Sequence, residues 1–204
     1  MNIQEVFRID TPITPLKSWL SEAEAAGLPE PTAMTLATVG KNQRPSARTV
    51  LFKGISNSAS GREGIQFHTH YESRKSRELS ENSWAATVFF WPQMKRQIRL
   101  EGRVERLSKV ESDRYFESRP RGSQIGAWSS PQSQKIGGRE ELMAKVAETE
   151  RRFEGKAVPR PENWGGWLLV PEAIEFWQAG EFRLHDRALF SWDGQRWHCS
   201  RLAP

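Results

Sequence analysis

The sequence predicts an α+β fold in which an antiparallel β-barrel carries peripheral helices. Three features predict it: nine short segments with strand patterning, only four helical segments among them, and an Asp193-Gly194 pair that reads as a tight hairpin turn. Many antiparallel strands with few helices favour such a barrel over a doubly wound sheet.

Thr14-Pro15, then Leu16, Trp19, Leu20 and Ala23, then Gly27, predict an amphipathic helix capped by Thr14 with Pro15 at its first position. Residues 32–39, a turn at 40–43 and residues 46–53 predict a hairpin, and 65–69 a further strand after a Ser/Gly-rich loop. Ser73 caps a short helix reaching Asn82. Two strands follow, Trp84–Trp91 and Arg96–Arg106, separated at Pro92, which cannot donate to a ladder. Ser108 and Glu111 have capping-box spacing, so a helix runs toward Ser118 and stops before Pro120. Another, over 139–153, puts Leu142, Val146 and Phe153 on one side, and the Pro-rich stretch 158–163 is a connector. Strands at 167–170, 173–177, 183–192 and 195–202 complete the chain. No repeat or low-complexity tract divides it, so 1–204 is expected to form a single domain, with a short arm over 1–14.

Lys and Arg total 30 against 25 Asp and Glu, a net +5 that suits nucleic acid or small phosphorylated ligands. The cations fall in separate clusters rather than one stripe, which points to small ligands and away from nucleic acid. A single cysteine, Cys199, and a start without an apolar signal core predict a cytoplasmic protein with no internal disulfide. The longest mainly apolar stretch, Trp84–Trp91, is far short of the roughly 20 residues that cross a bilayer. Nine Trp residues supply core mass or flat surfaces for a planar ring.

If 183–192 is a strand, Arg183, His185 and Arg187 share one face and Asp186 takes the other. With Trp177 upstream, two guanidiniums and an aromatic ring suit a planar anionic ligand, and the alternation argues against a His185–Asp186 triad. Ser73, Arg74 and Lys75 open a helix, where free N–H groups, a hydroxyl and two cations can converge on one phosphate. Arg48 and Lys53 would face opposite sides of a regular strand, so one pocket uses both only if that strand bends. Arg119, Arg121 and Ser123, just beyond Tyr115, form a second phosphate-sized cluster. Two anion sites imply two phosphorylated ligands. No P-loop, dinucleotide-binding turn or nucleophile elbow is present, and His68 and His70 have no further ligands to complete a metal shell.

Three stretches carry a resemblance: Tyr115 through Arg119, Arg121 and Ser123 to Trp128; Ile174 through Trp177 and Arg183 to Arg187; and the terminal Arg201-Leu202-Ala203-Pro204. Together they resemble the pyridoxamine 5′-phosphate oxidase family, from about Pro31 to the C-terminus. The resemblance implies a split β-barrel homodimer with one FMN at each of two subunit interfaces. It implies that Arg48, Arg74 and Lys75 hold the flavin phosphate, that Thr69 and Gln97 lie near the ribityl chain or ring, and that Thr49, Val50, Lys53 and His68 line the same cofactor site. Gln132, Ser133, Trp177 and Arg187 match positions contributed from the other subunit. Lys53, Tyr115, Arg119 and Ser123 match the substrate-phosphate site, and Arg183 and His185 border the reacting end of the substrate as the catalytic pair. The implied reaction passes hydride from a C–H beside nitrogen to FMN and then to O₂, forming hydrogen peroxide and converting pyridoxine or pyridoxamine 5′-phosphate to pyridoxal 5′-phosphate. The family's Arg-x-x-Tyr arm, which folds over that substrate, has no match before Pro15. That departure raises the family's phenazine-biosynthesis branch, which oxidises partly reduced tricyclic carboxylates. A flavin-binding protein without turnover is the remaining alternative.

Overall fold

Alternating apolar side chains set the inner face of the barrel. In β5 (Trp84–Trp91) Ala85, Thr87, Phe89 and Trp91 are buried while Trp84 and Phe90 are exposed; in β6 (Arg96–Arg106) Ile98, Leu100, Gly102 and Val104 point inward. The computed structural model describes residues 1–204. Nine strands join one antiparallel sheet: β1 (Ala33–Val39), β2 (Pro45–Leu51), β3 (Ile55–Asn57), β4 (Glu63–His70), β5, β6, β7 (Trp164–Gln178), β8 (Asp186–Trp192) and β9 (Trp197–Arg201). Their order is β2-β1-β5-β6-β7-β4-β3, with β8 paired to β7 and β9 to β8. Just past β2, Lys53 N–H donates to the Gln66 carbonyl at 2.9 Å and Gln66 N–H to the Gly54 carbonyl at 2.8 Å, which joins β2 to β4 and closes the barrel.

The long strand β7 splits the barrel. It pairs with β6 along its length, but on its other edge it pairs with β4 through residues 164–169 and with β8 through residues 173–178. The changeover lies at Pro171, which lacks an N–H, opposite a register shift between Glu101 and Gly102. A Cβ on Gly102 would lie 2.1 Å from the Val170 carbonyl oxygen, so only glycine permits this crossing. The sequence predicts two strands here and the structure has one, because ladder pairing with β6 resumes beyond the bulge.

Six helices surround the sheet: α1 (Ile3–Val6), α2 (Ile13–Ala25), α3 (Arg74–Glu81), α4 (Lys109–Glu117), α5 (Arg121–Ser129) and α6 (Arg139–Arg152). Leu16, Trp19, Leu20 and Ala23 bury the inner face of α2, and Trp19 meets Phe176 edge-on at 5.3 Å. This helix begins at Ile13, two residues earlier than predicted; Pro12 rather than Thr14 stands at the cap, without a side-chain bond. The arm ahead of it is tied down by a capping box of Asn2 and Glu5, by burial of Ile3 and Val6, and by the Met1 carbonyl, which accepts from Trp19 Nε1 at 3.0 Å and Arg96 Nη2 at 3.1 Å. The Ser108–Glu111 capping box forms as predicted.

The predicted strand over 183–192 starts later, at Asp186. Ahead of it a tight turn over Glu181–Arg183 holds Phe182 at φ 52° and Arg183 at φ 64°, both in the left-handed region. Arg183, His185 and Arg187 therefore do not share a strand face. No helix is long and apolar enough to cross a membrane.

Candidate functional site

A cleft of about 970 Å³ opens between β2, β4 and the α3 and α5 helices. It brings together thirteen of the predicted residues: Arg48, Thr49, Val50 and Lys53 from β2 and its exit; His68, Thr69, Arg74 and Lys75 from β4 and α3; Tyr115, Arg119, Ser123, Gln132 and Ser133 from α4, α5 and the following turn. Arg48 and Lys53 reach the same cleft because β2 ends at Leu51 and the chain turns to bond β4, so strand alternation no longer applies at Lys53.

At the first cation group, Glu78 organises the side chains. Its carboxylate accepts from Thr38, from Ser46 at 2.6 Å, from Arg74 Nε at 2.9 Å and from Arg48 Nη2 at 3.3 Å. Burial alone would raise its pKa, but these hydrogen bonds and the Arg74 charge outweigh burial and hold it at about 2. Lys75 has no carboxylate partner: it is 7% exposed, and its ammonium donates to Thr69 Oγ1 at 3.0 Å and to Ser73 Oγ at 3.3 Å. Burial, then the Arg48 charge, lower its pKa to about 8. Three cations against one carboxylate leave a surplus of two positive charges, which matches a phosphate dianion. Gln132 is held there by its side-chain oxygen, which accepts from Thr69 Oγ1 at 2.8 Å and from His70 N–H at 3.3 Å.

The second group is Lys53, Arg119, Tyr115, Ser123 and His68. Arg119 lies over the Trp164 ring at 4.6 Å, and its buried Nη1 has no hydrogen-bond partner. His68 stacks on Tyr115 at 3.9 Å, with both ring nitrogens buried and unpaired. Burial, then the charges of Arg119 and Lys53, push its pKa down to about 4, so the ring is neutral at pH 7. Unpaired buried donors beside two cations without carboxylates are what an incoming anion satisfies. The residues of both groups fit an anionic cofactor and an anionic substrate.

Arg121 does not join this group: its guanidinium turns away to the carbonyls of Phe153 at 2.7 Å and Lys156 at 2.9 Å. The cause is α5, a helix the sequence pattern does not predict, which separates Arg121 from the inward-facing Ser123. Trp164 was also missed. Its signal was the Gly165-Gly166 pair beside it: a Cβ on Gly165 would lie 2.1 Å from the Tyr71 hydroxyl, and one on Gly166 2.8 Å from His68 Nε2.

Besides Arg121, five predicted site residues lie outside the cleft. Gln97, Trp177 and Arg187 form a row of register partners across β6, β7 and β8. The His185 ring rests on Trp177 at 4.6 Å, and Arg183 is exposed in the preceding turn. Arg187 forms a two-pronged pair with buried Glu175, at 2.9 and 3.0 Å, and donates to the Ala203 carbonyl at 2.9 Å. The resemblance groups Gln97 with Arg48, Arg74 and Lys75, and Gln132 and Ser133 with Trp177 and Arg187; within one chain Gln132 and Ser133 line the cleft beside the former, and Gln97 lies in the row with the latter. The reason is local: Gln97 sits on β6 beside Trp177, whereas the turn after α5 folds back onto β4.

The family model for pyridoxamine 5′-phosphate oxidase matches residues 20–153, and that for the pyridoxine 5′-phosphate oxidase C-terminal dimerisation region matches residues 164–204. The chain is 52% identical to a pyridoxine/pyridoxamine 5′-phosphate oxidase of Rubrobacter xylanophilus, covering 95% of this chain and 87% of that one. It is 46% identical to the same oxidase of Synechocystis, covering 96% and 89%. Among solved structures it is similar to PhzG from Burkholderia lata in complex with tetrahydrophenazine-1-carboxylic acid, with a TM-score of 0.89, 37% identity and coverage of 96% and 94%. A pyridoxamine 5′-phosphate oxidase-related, FMN-binding protein of Nostoc punctiforme shares the fold, with a TM-score of 0.74 at 17% identity. With two family models that span most of its length and relatives near half identical, the chain belongs to the pyridoxamine 5′-phosphate oxidase family of oxidoreductases.

Proposed function

We propose that this protein is an FMN-dependent oxidase of pyridoxine and pyridoxamine 5′-phosphate, active as a homodimer. The observation that carries this reading is the pair of cation groups with surplus positive charge in one cleft, Arg48, Arg74 and Lys75 around the single Glu78 carboxylate in one and Lys53 and Arg119 without a carboxylate in the other. One suits the phosphate of FMN and the other the 5′-phosphate of the substrate. When bound, FMN would supply the hydride-accepting chemistry, with O₂ as the final acceptor and hydrogen peroxide as its product. The chain's own part is positional and electrostatic: Lys75 and Arg48 fix the cofactor phosphate, Arg119, Lys53 and Ser123 fix the substrate phosphate, and Trp177 offers a flat surface for the ring system. Arg183 is assigned to positioning and polarising the substrate, with His185 beside it.

Support for the dimer comes from the separation of the two residue sets within one chain and from the dimerisation-region match over 164–204. In that region Phe182 is 89% and Leu184 69% exposed, apolar surface suited to a partner. A second reading, oxidation of a partly reduced phenazine carboxylate, is favoured by the likeness to PhzG and by the N-terminal arm, which is packed onto the barrel rather than over the cleft.

The test is an oxygen-electrode assay on purified protein, which should be yellow with a band at about 450 nm, as for any oxidised flavin. Pyridoxine 5′-phosphate should drive O₂ uptake, and Lys53→Ala should raise KM for it by about tenfold or more, one charged hydrogen bond's worth. An unchanged KM, or uptake only with the tricyclic acid, would select the second reading. A colourless protein that takes up no FMN would contradict both.

A further inference from the structure

His185 has a hydrogen bond that fixes its chemistry. The Gly180 backbone N–H donates to His185 Nδ1 at 3.2 Å, across the turn that precedes β8. That turn is built for the contact. Leu184 N–H closes on the Glu181 carbonyl at 2.9 Å and His185 N–H on the Arg183 carbonyl at 3.0 Å, which folds the chain back on itself. Two successive non-glycine residues, Phe182 and Arg183, sit in the left-handed region at φ 52° and 64°. Such residues each cost about 1 kcal/mol or more and persist where the surroundings demand them. Position 180 must be glycine, because a Cβ there would lie 1.9 Å from the Leu184 carbonyl oxygen. The imidazole is steadied on its face by Trp177, at 4.6 Å and 50°.

A neutral imidazole has one N–H and one lone pair. With the Nδ1 lone pair engaged by a backbone donor, the proton resides on Nε2, and the neutral ring has no free lone pair left. We propose that Gly180 is a positioning residue that locks His185 as a hydrogen-bond donor through Nε2, so that His185 serves this site by donating to an oxygen or ring nitrogen of a bound heteroaromatic ligand and not by abstracting a proton. What it donates to rests on the proposed oxidase function; the tautomer does not.

Two measurements test it. In the purified, ¹⁵N-labelled full chain near neutral pH, long-range ¹H–¹⁵N correlation of the four histidines, assigned with a His185→Gln variant, should show His185 with unprotonated Nδ1 and protonated Nε2. In Gly180→Ala that preference should be lost while the other three histidines keep their spectra. A proton on Nδ1, or fast exchange between both tautomers in the unmodified chain, overturns the inference whatever the enzyme oxidises. In turnover, His185→Gln, whose amide N–H₂ reaches the place of Nε2–H, should keep kcat within about tenfold, whereas His185→Asn, which places its amide near Nδ1, should lose substantially more. Equal loss in both variants overturns the donor role.

Discussion

Replacing Lys75 with Met tests the reading of the first cation group most simply. Lys75 is 7% exposed, and its ammonium touches only hydroxyls and lies near Arg48, so its charge is held at a cost. The folded chain releases the proton at about 8 where an ordinary lysine does so at 10.5, a gap worth about 3 kcal/mol as an upper bound. The unfolded chain therefore binds more protons between those values, and stability must rise as pH increases through that window. At pH 7 the full cost is present. Lys75→Met keeps much of the apolar stem and removes the charge, so the flavin-free variant should be more stable at pH 7 by about 1–3 kcal/mol, and the difference should vanish as pH approaches about 10.5. Equilibrium urea unfolding at several pH values measures both. The same variant should bind FMN at least about tenfold more weakly, because a charge-assisted contact to phosphate is gone. A variant that is less stable at pH 7 and binds FMN normally would refute the reasoning, since Lys75 would then be a satisfied structural group.

Arg187→Ala strands the buried Glu175 carboxylate with only Arg99 at 3.3 Å, so urea unfolding should show a loss of about 2–4 kcal/mol, partly recovered in Glu175→Gln/Arg187→Ala. Its effect on flavin retention therefore has to be compared with that of Arg183→Ala, where Arg183 has no ion pair; Arg183→Ala should lower turnover with little change in stability or bound flavin. Gly102→Ala forces a Cβ against the Val170 carbonyl and should cost at least about 2 kcal/mol, read as a lower melting temperature.

Much of this structure was legible in the sequence because period-two patterning follows directly from one-sided burial. The ends of β5 and β6 and the capping box of α4 fall where residue type alone places them. Legibility failed where tertiary contacts override local pattern. Residues 164–170 are buried on both faces and show no alternation, so the continuity of β7 through Pro171 could be seen only from its pairing with β6. Helix α5 has two glycines in its nine residues, a weak helical signal, and its omission misplaced Arg121. The Arg183 turn defeated the strand reading because its left-handed residues are Phe and Arg rather than the glycines that normally announce such a conformation. For the site, residue types and family resemblance named the cations, but not Glu78, which organises Arg48 and Arg74, nor Trp164 under Arg119.

In the proposed dimer, one FMN is gripped by the Lys75 side of one copy and the Trp177 side of another. Co-refolding of Lys75→Met with Trp177→Ala in equal amounts tests it most directly, by flavin retained per chain after gel filtration. In a twofold dimer each mixed pair carries one site with both defects and one with neither, and mixed pairs make up half of the population. Retention should then rise from near zero in either variant alone to about a quarter of the unmodified level. Retention no greater than the mean of the two variants refolded separately would place each flavin within a single chain and rule out the shared site.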